Sequence, residues 1–162
     1  MSLRRTALVR RTQMRRSPMP ARKKALATKR VKVSSRRRDT GPTRGVRRVV
    51  ADRAGYCCEL CGLALHDGRT WTEIHSFHHR RPRGMGGSRD ATSNTPANLL
   101  LLCGTGTSGC HGRIERDRPM AFAYGWLVVQ RTDPSLTPVW VWAKPSRPVL
   151  LTVDGTYLEE AA

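Results

Sequence analysis

The chain has 162 residues, room for one domain of ordinary size, and a formal net charge of +18. That charge favours polyanionic partners and disfavours basic ones. No apolar segment approaches the ~20 residues of a membrane span, and no signal-peptide core stands before a cleavage site. A soluble, cytoplasmic protein with no membrane contact is therefore expected.

The first 44 residues hold sixteen Lys or Arg against one acid, Asp39, and contain no Trp, Tyr or Phe. Residues 1–42 cannot bury enough apolar surface to offset their ordering entropy, so the expectation is a basic disordered arm. Such an arm neutralises phosphates and releases counterions, giving affinity without sequence choice. The same Arg-rich, acid-poor composition also fits an organellar transit peptide.

After the breaker Thr40-Gly41-Pro42, the spacing of Val46, Val49, Val50 and Ala54, with Gly55 where a C′ residue belongs, predicts a helix over 43–54. Trp71 to Phe77 alternates apolar and polar residues, a strand pattern. Residues 80–96 are rich in Gly, Pro, Ser and Asn and read as loop, with Gly84, Gly86 and Gly87 providing turns. Leu99 to Leu102 is wholly apolar and reads as a buried strand.

His111 to Arg116 predicts one or two helical turns. Asp117 then N-caps a second short helix with Pro119 in its first turn and Gly125 at its end. Strands are expected over Trp126 to Gln130, Val139 to Trp142 and Val149 to Val153, with Asp154-Gly155 as a turn. The sum is an α+β chain in three parts: arm 1–42, compact domain 43–125, and a small β extension 126–162 packed on that domain.

Five cysteines, an odd number with no secretory signal, argue for metal ligands or free thiols and against a disulfide framework. Cys58 and Cys61 have the spacing at which two thiolates on a tight turn reach one ion. Cys103 and Cys110 would complete a tetrahedral, structural Zn²⁺ site. Six residues separate that second pair, more than the two to four of a knuckle, and its glycines allow the loop to fold back. Cys57 competes with Cys58 as ligand; a small buried hydrophobe is its other role.

The order strand, His78-His79, Gly-rich loop, Asn98-Leu99, apolar strand, Cys110-His111, helix resembles the HNH nuclease family, and within it the small HNH endonucleases carried by bacteriophages. The matching segment runs from about Cys58 to Glu115. The resemblance implies a ββα-metal (His-Me finger) core. It implies His78 and His111 as ligands of a catalytic divalent ion (Mg²⁺, Mn²⁺ or Ni²⁺), His79 as general base and Asn98 as the residue holding the loop that bears His79. Glu115 lies four residues beyond His111 on the same helix face, placed as a third ligand or to hold water on the ion. Many family members have a histidine there.

The chemistry agrees with that division. Phosphodiester hydrolysis needs a water deprotonated in line with the bond and a cation to neutralise the developing charge. Neutral imidazole suits the first task, and neighbouring residues on a strand face opposite ways, so His78 and His79 can serve different ends. Arg80, Arg81 and Arg83 read as phosphate clamps or as a solvated face. Trp126, Trp140 and Trp142 read as core rather than base-stacking platforms. His66 and His75 fit no motif and are taken as structural or exposed.

The expected activity is metal-dependent cleavage of DNA leaving 5′-phosphate and 3′-hydroxyl ends, as the resemblance implies. Two alternatives stand beside it. One is a non-catalytic, zinc-stabilised nucleic-acid-binding protein. The other is an accessory nuclease of phage DNA packaging, partnered by terminase or packaging proteins in the host cytoplasm.

Overall fold

The computed structural model describes residues 41–84, 88 and 90–159. Residues 1–40 of the expected arm, with Gly86 and Gly87, lie outside the described residues. The described residues belong to one compact unit, Arg38–Ala162, so the expected β extension is part of the same body as the rest.

The first helix, α1 (Arg44–Arg53), starts where Thr43 accepts a hydrogen bond from the Val46 amide, 3.3 Å. It buries Val50 and Ala51 and ends in a left-handed turn at Gly55 and Tyr56, φ 57° and 58°. Strand β1 (His75–His79) pairs antiparallel with β2 (Leu99–Cys103), His75 opposite Cys103 and His79 opposite Leu99. The strand expected from Trp71 begins only at His75, while Trp71 itself makes a lone bridge to His66.

All four leucines of β2 are fully buried. Both α1 and α2 (Gly109–Arg116) pack on this strand, which is why it is apolar at every position instead of alternating. Helix α3 (Arg118–Ala123) is capped by Asp117, whose carboxylate accepts from the Met120 amide at 3.1 Å. It stops at Gly125, φ 70°. A second sheet follows in the order β3-β4-β5: β3 (Val139–Val141), β4 (Lys144–Leu151) and β5 (Tyr157–Leu158). The described residues thus form a small α+β arrangement of two antiparallel sheets and three α-helices.

Residues Trp126 to Gln130 are not a strand. Trp126, Leu127 and Val128 are buried in an irregular segment whose Leu127 and Val128 amides donate to the Ala121 and Arg80 carbonyls, 3.0 and 2.8 Å. The apolar run reflects burial, and no neighbouring strand among the described residues lies alongside to pair with it. Among the described residues no helix is long and apolar enough to cross a membrane.

Candidate functional site

Two clusters of residues that could hold a metal ion flank the paired strands β1 and β2. The first is Cys58, Cys61, Cys103 and Cys110, whose sulfurs all lie within 4.8 Å of one another. Cys61 Sγ and Cys103 Sγ are 3.9 Å apart; a tetrahedron with Zn–S bonds of about 2.3 Å has edges of about 3.8 Å. Burial pushes the Cys58 thiol up to about 11 and raises Cys110, whereas the Leu63 amide and the neighbouring thiols outweigh burial at Cys61 and lower it. Four sulfurs this close ionise together only around a cation, so the donor set can hold a structural metal such as zinc.

The long Cys103–Cys110 loop reaches this geometry through glycine. Gly104 and Gly109 have φ of 82° and 59°. A Cβ at Gly104 would run into the Ser108 carbonyl, and one at Gly109 would stand 2.6 Å from the Cys103 carbonyl oxygen. The fold-back aims the Cys110 amide at Cys103 Sγ, 3.4 Å. Cys57 is outside the group, and its thiol donates to the Gly55 carbonyl at 3.4 Å. It is half-buried, not the small buried hydrophobe expected from the sequence.

The second cluster is His78, His111 and Glu115, one ligand atom from each lying within 4.8 Å of the others. Ser76 and His78 face α2 from β1: Ser76 Oγ is 2.8 Å from His111 Nδ1, and the two imidazole centroids are 4.8 Å apart. His78 Nε2 stands 3.1 Å from the Trp126 carbonyl, which fixes it as the protonated nitrogen and leaves Nδ1 with its lone pair. Burial and then His111 push the His78 pKa down to about 3. Burial also lowers His111, against the opposing effect of Glu115. Both rings are neutral at physiological pH, the state a ligand needs. Glu115 is more open, 3.9 Å from His111 Nε2 and 3.2 Å from Arg118.

His79 lies outside that group. Its Nε2 is 2.9 Å from Asn94 Oδ1, and burial, aided by the positive charge of Arg83, holds its pKa below the usual histidine range. Helix α2 begins at Gly109, two residues before the expected start, so His111 sits inside the first turn.

Asn98 is fully buried. It accepts from the Arg81 amide at 2.7 Å and donates to the Arg81 and Ser93 carbonyls at 3.3 and 2.8 Å, tying down the chain that leaves His79.

Arg80 is not a phosphate clamp. It has no exposed surface and donates to the carbonyls of Gly125, Pro134 and Thr137 at 2.8, 2.8 and 2.7 Å, with longer bonds to Ala97 and Pro138. The pleat explains this: two residues beyond buried His78, Arg80 points to the same side. Burial and the nearby Arg53 lower its pKa, and the ring of carbonyls favours the charged form.

Arg81 is also committed within the protein, bonding Asp90 at 2.7 Å, Thr92 at 2.5 Å and the Thr132 carbonyl at 3.2 Å. Arg83 is the clamp candidate that stays half-exposed beside His79.

Two residues of the site carry no signal in the sequence. Asn94 is one of many polar residues in a loop. Glu59, between Cys58 and Cys61, is 3 % exposed and links the Cys turn to α1, β2 and β5.

No protein-family model, curated protein or solved structure matches the chain.

Proposed function

We propose that this chain is a metal-dependent endonuclease hydrolysing DNA phosphodiester bonds, built on a ββα-metal core. The observation that carries the reading is the division at the end of β1: His78 turns to His111 and Glu115, while His79 turns away and rests on Asn94. A binding module has no use for two neutral neighbouring imidazoles with separate anchors. Hydrolysis does.

His78 and His111 would hold the divalent ion, with Glu115 as an open third position, and the ion when bound supplies charge neutralisation at the scissile phosphate and departing oxygen. The Trp126 carbonyl and Ser76 hydroxyl orient the two rings. His79 takes the proton of the attacking water, and its depressed pKa keeps it in the form able to accept. Asn94 fixes the ring, and Asn98 fixes the backbone behind it. Arg83 supplies positive charge for the phosphate. Zinc at the four cysteines would hold the hairpin against the Cys58–Cys61 turn.

Two-imidazole sites favour Mn²⁺, Ni²⁺ or Zn²⁺ over Mg²⁺, so Mn²⁺ or Ni²⁺ should support cleavage of supercoiled plasmid. His79→Ala should lower that rate by roughly 10²–10⁴-fold with DNA binding retained. Activity with Mg²⁺ alone would remove His78 and His111 from the ligand set. Binding without cleavage under any metal would leave the four-cysteine group as the centre of a non-catalytic nucleic-acid-binding protein.

A further inference from the structure

On the other face of β1 from the metal cluster lies a cavity of about 430 Å³. Arg44, Arg47 and Arg48 of α1 line it together with Tyr56, Trp71 and His75. His75 and Trp71 are stacked, with ring centroids 3.7 Å apart and planes 20° apart. Trp71 is nevertheless 39 % exposed. Phe77 also lines it, with Arg47 over its ring at 5.9 Å.

We infer that this cavity binds one unpaired nucleotide of the DNA strand being cut, its base against the Trp71–His75 stack and its phosphates on the α1 arginines. Four considerations support that ligand. The cavity's volume falls in the range of small-ligand pockets. It combines flat aromatic surface with several cations, which is the composition of single-strand binding sites. A paired base is already stacked on both faces and cannot use such a platform, so the nucleotide must be splayed from the duplex or single-stranded.

Position is the fourth. His75, Phe77 and His79 alternate with the metal-facing residues and share one face of β1, about 13 Å from first to last. A strand passing His79 therefore runs toward the cavity.

The charges nearby favour the same ligand. Asp52 is one acid in reach, 3.7 Å from Arg48 and bonded to the Tyr56 hydroxyl at 2.7 Å, and Glu73 stands between Trp71 and His75 in the chain. That ion pair is exposed, 80 % and 52 % for the two side chains, and yields readily to a phosphate. The chain preceding α1 is itself strongly basic by sequence and has the wrong sign to fill an arginine-lined cavity.

The inference rests on the nuclease reading for its substrate, but its test does not depend on cleavage. The full chain, with its cysteine site loaded with zinc, is titrated with a labelled single-stranded oligonucleotide and with the matching duplex. Anisotropy and tryptophan emission are followed, and the oligonucleotide is checked for intactness afterwards.

Single strands should quench tryptophan emission. Trp71→Ala should abolish most of that quench and weaken single-strand binding about ten-fold, while duplex binding changes less than about two-fold. Trp71→Phe should restore much of the affinity, which a merely structural role for the residue would not produce. Arg47→Ala with Arg48→Ala, both at exposed positions, should reduce the salt dependence of single-strand binding by roughly one phosphate's worth of counterion release or more.

Unchanged affinity and quench in Trp71→Ala would overturn the inference. So would displacement of the oligonucleotide by polyglutamate to the same extent in wild type and Trp71→Ala, since the cavity would then read charge alone. Loss of plasmid cleavage under every metal, with the Trp71-dependent quench intact, would sink the nuclease reading and keep the nucleotide site. Cleavage with no effect of Trp71 would do the reverse.

Discussion

Glu59 accepts two bonds from Arg53, both at 3.0 Å, one from the Tyr157 hydroxyl at 2.8 Å and one from the Leu101 amide at 2.8 Å. The carboxylate and guanidinium side chains are each 1 % exposed, and Arg53 directs further donors at the Pro96 and Leu99 carbonyls. Removing one member of such a pair leaves the other charged and dry. Glu59→Gln should therefore cost about 3–5 kcal/mol, read as a lower urea midpoint at unchanged slope.

Tyr157 adds a pH dependence. Burial, then the Glu59 carboxylate, raise its pKa above the ordinary tyrosine value. The stability it contributes is complete below about pH 10, the unfolded value, and is lost as pH rises above it, because the unfolded chain ionises there and the folded one does not. In urea titrations at about pH 9 and 11, either side of that value, wild type should lose more stability across the interval than Tyr157→Phe.

At the level of elements, the Cys103–Cys110 connection joins β2 to α2 and depends on backbone conformations that only glycine adopts without strain. Thr105, Thr107 and Ser108, all exposed, bond one another through their hydroxyls and the Thr105 amide at 3.1 to 3.2 Å. Gly109→Ala forces a Cβ against the Cys103 carbonyl and should pull Cys110 away from the other three sulfurs. Metal analysis of the purified variant should find zinc reduced and the melting temperature lowered toward that of chelator-treated wild type.

The hairpin shows how far an element can be read locally. Alternation puts His78 and His79 on opposite faces, and an unbroken Leu run marks β2 as buried. The ends of α1 and α3 are equally legible, because Thr43, Asp117 and Gly125 act on backbone groups within a few residues of themselves. Trp126 to Gln130 fails the same test. Apolar content alone does not say whether a segment has a strand to pair with.

Across the whole molecule, Arg80 holds the segment after α3 to the hairpin by capturing carbonyls from residues 97 to 138. No buried side-chain nitrogen or oxygen among the described residues lacks a partner, so the desolvation of this charge is offset by its five acceptors. Much of the molecule's formal charge lies instead in the first 44 residues by sequence. Deleting residues 1–40 should flatten the salt dependence of duplex binding, measured by anisotropy between about 50 and 200 mM salt, by roughly 0.9 for each phosphate no longer neutralised. An unchanged slope would mean that the arm does not touch DNA.

The α+β character, the ends of α1 and α3, the pairing of Cys58 with Cys61 and the opposed directions of His78 and His79 all follow from the amino-acid order alone. Each depends on the intrinsic geometry of a helix, a strand or a turn over a few residues. It takes the folded chain to make Arg80 an internal staple, to join Arg53 to Tyr157 through Glu59, to anchor His79 on Asn94 and to bring Trp71 and His75 to one cavity with the α1 arginines. Those outcomes depend on which distant segments become neighbours. A charged or polar side chain has the same local signature whether it ends against water or against a carbonyl from the far end of the chain.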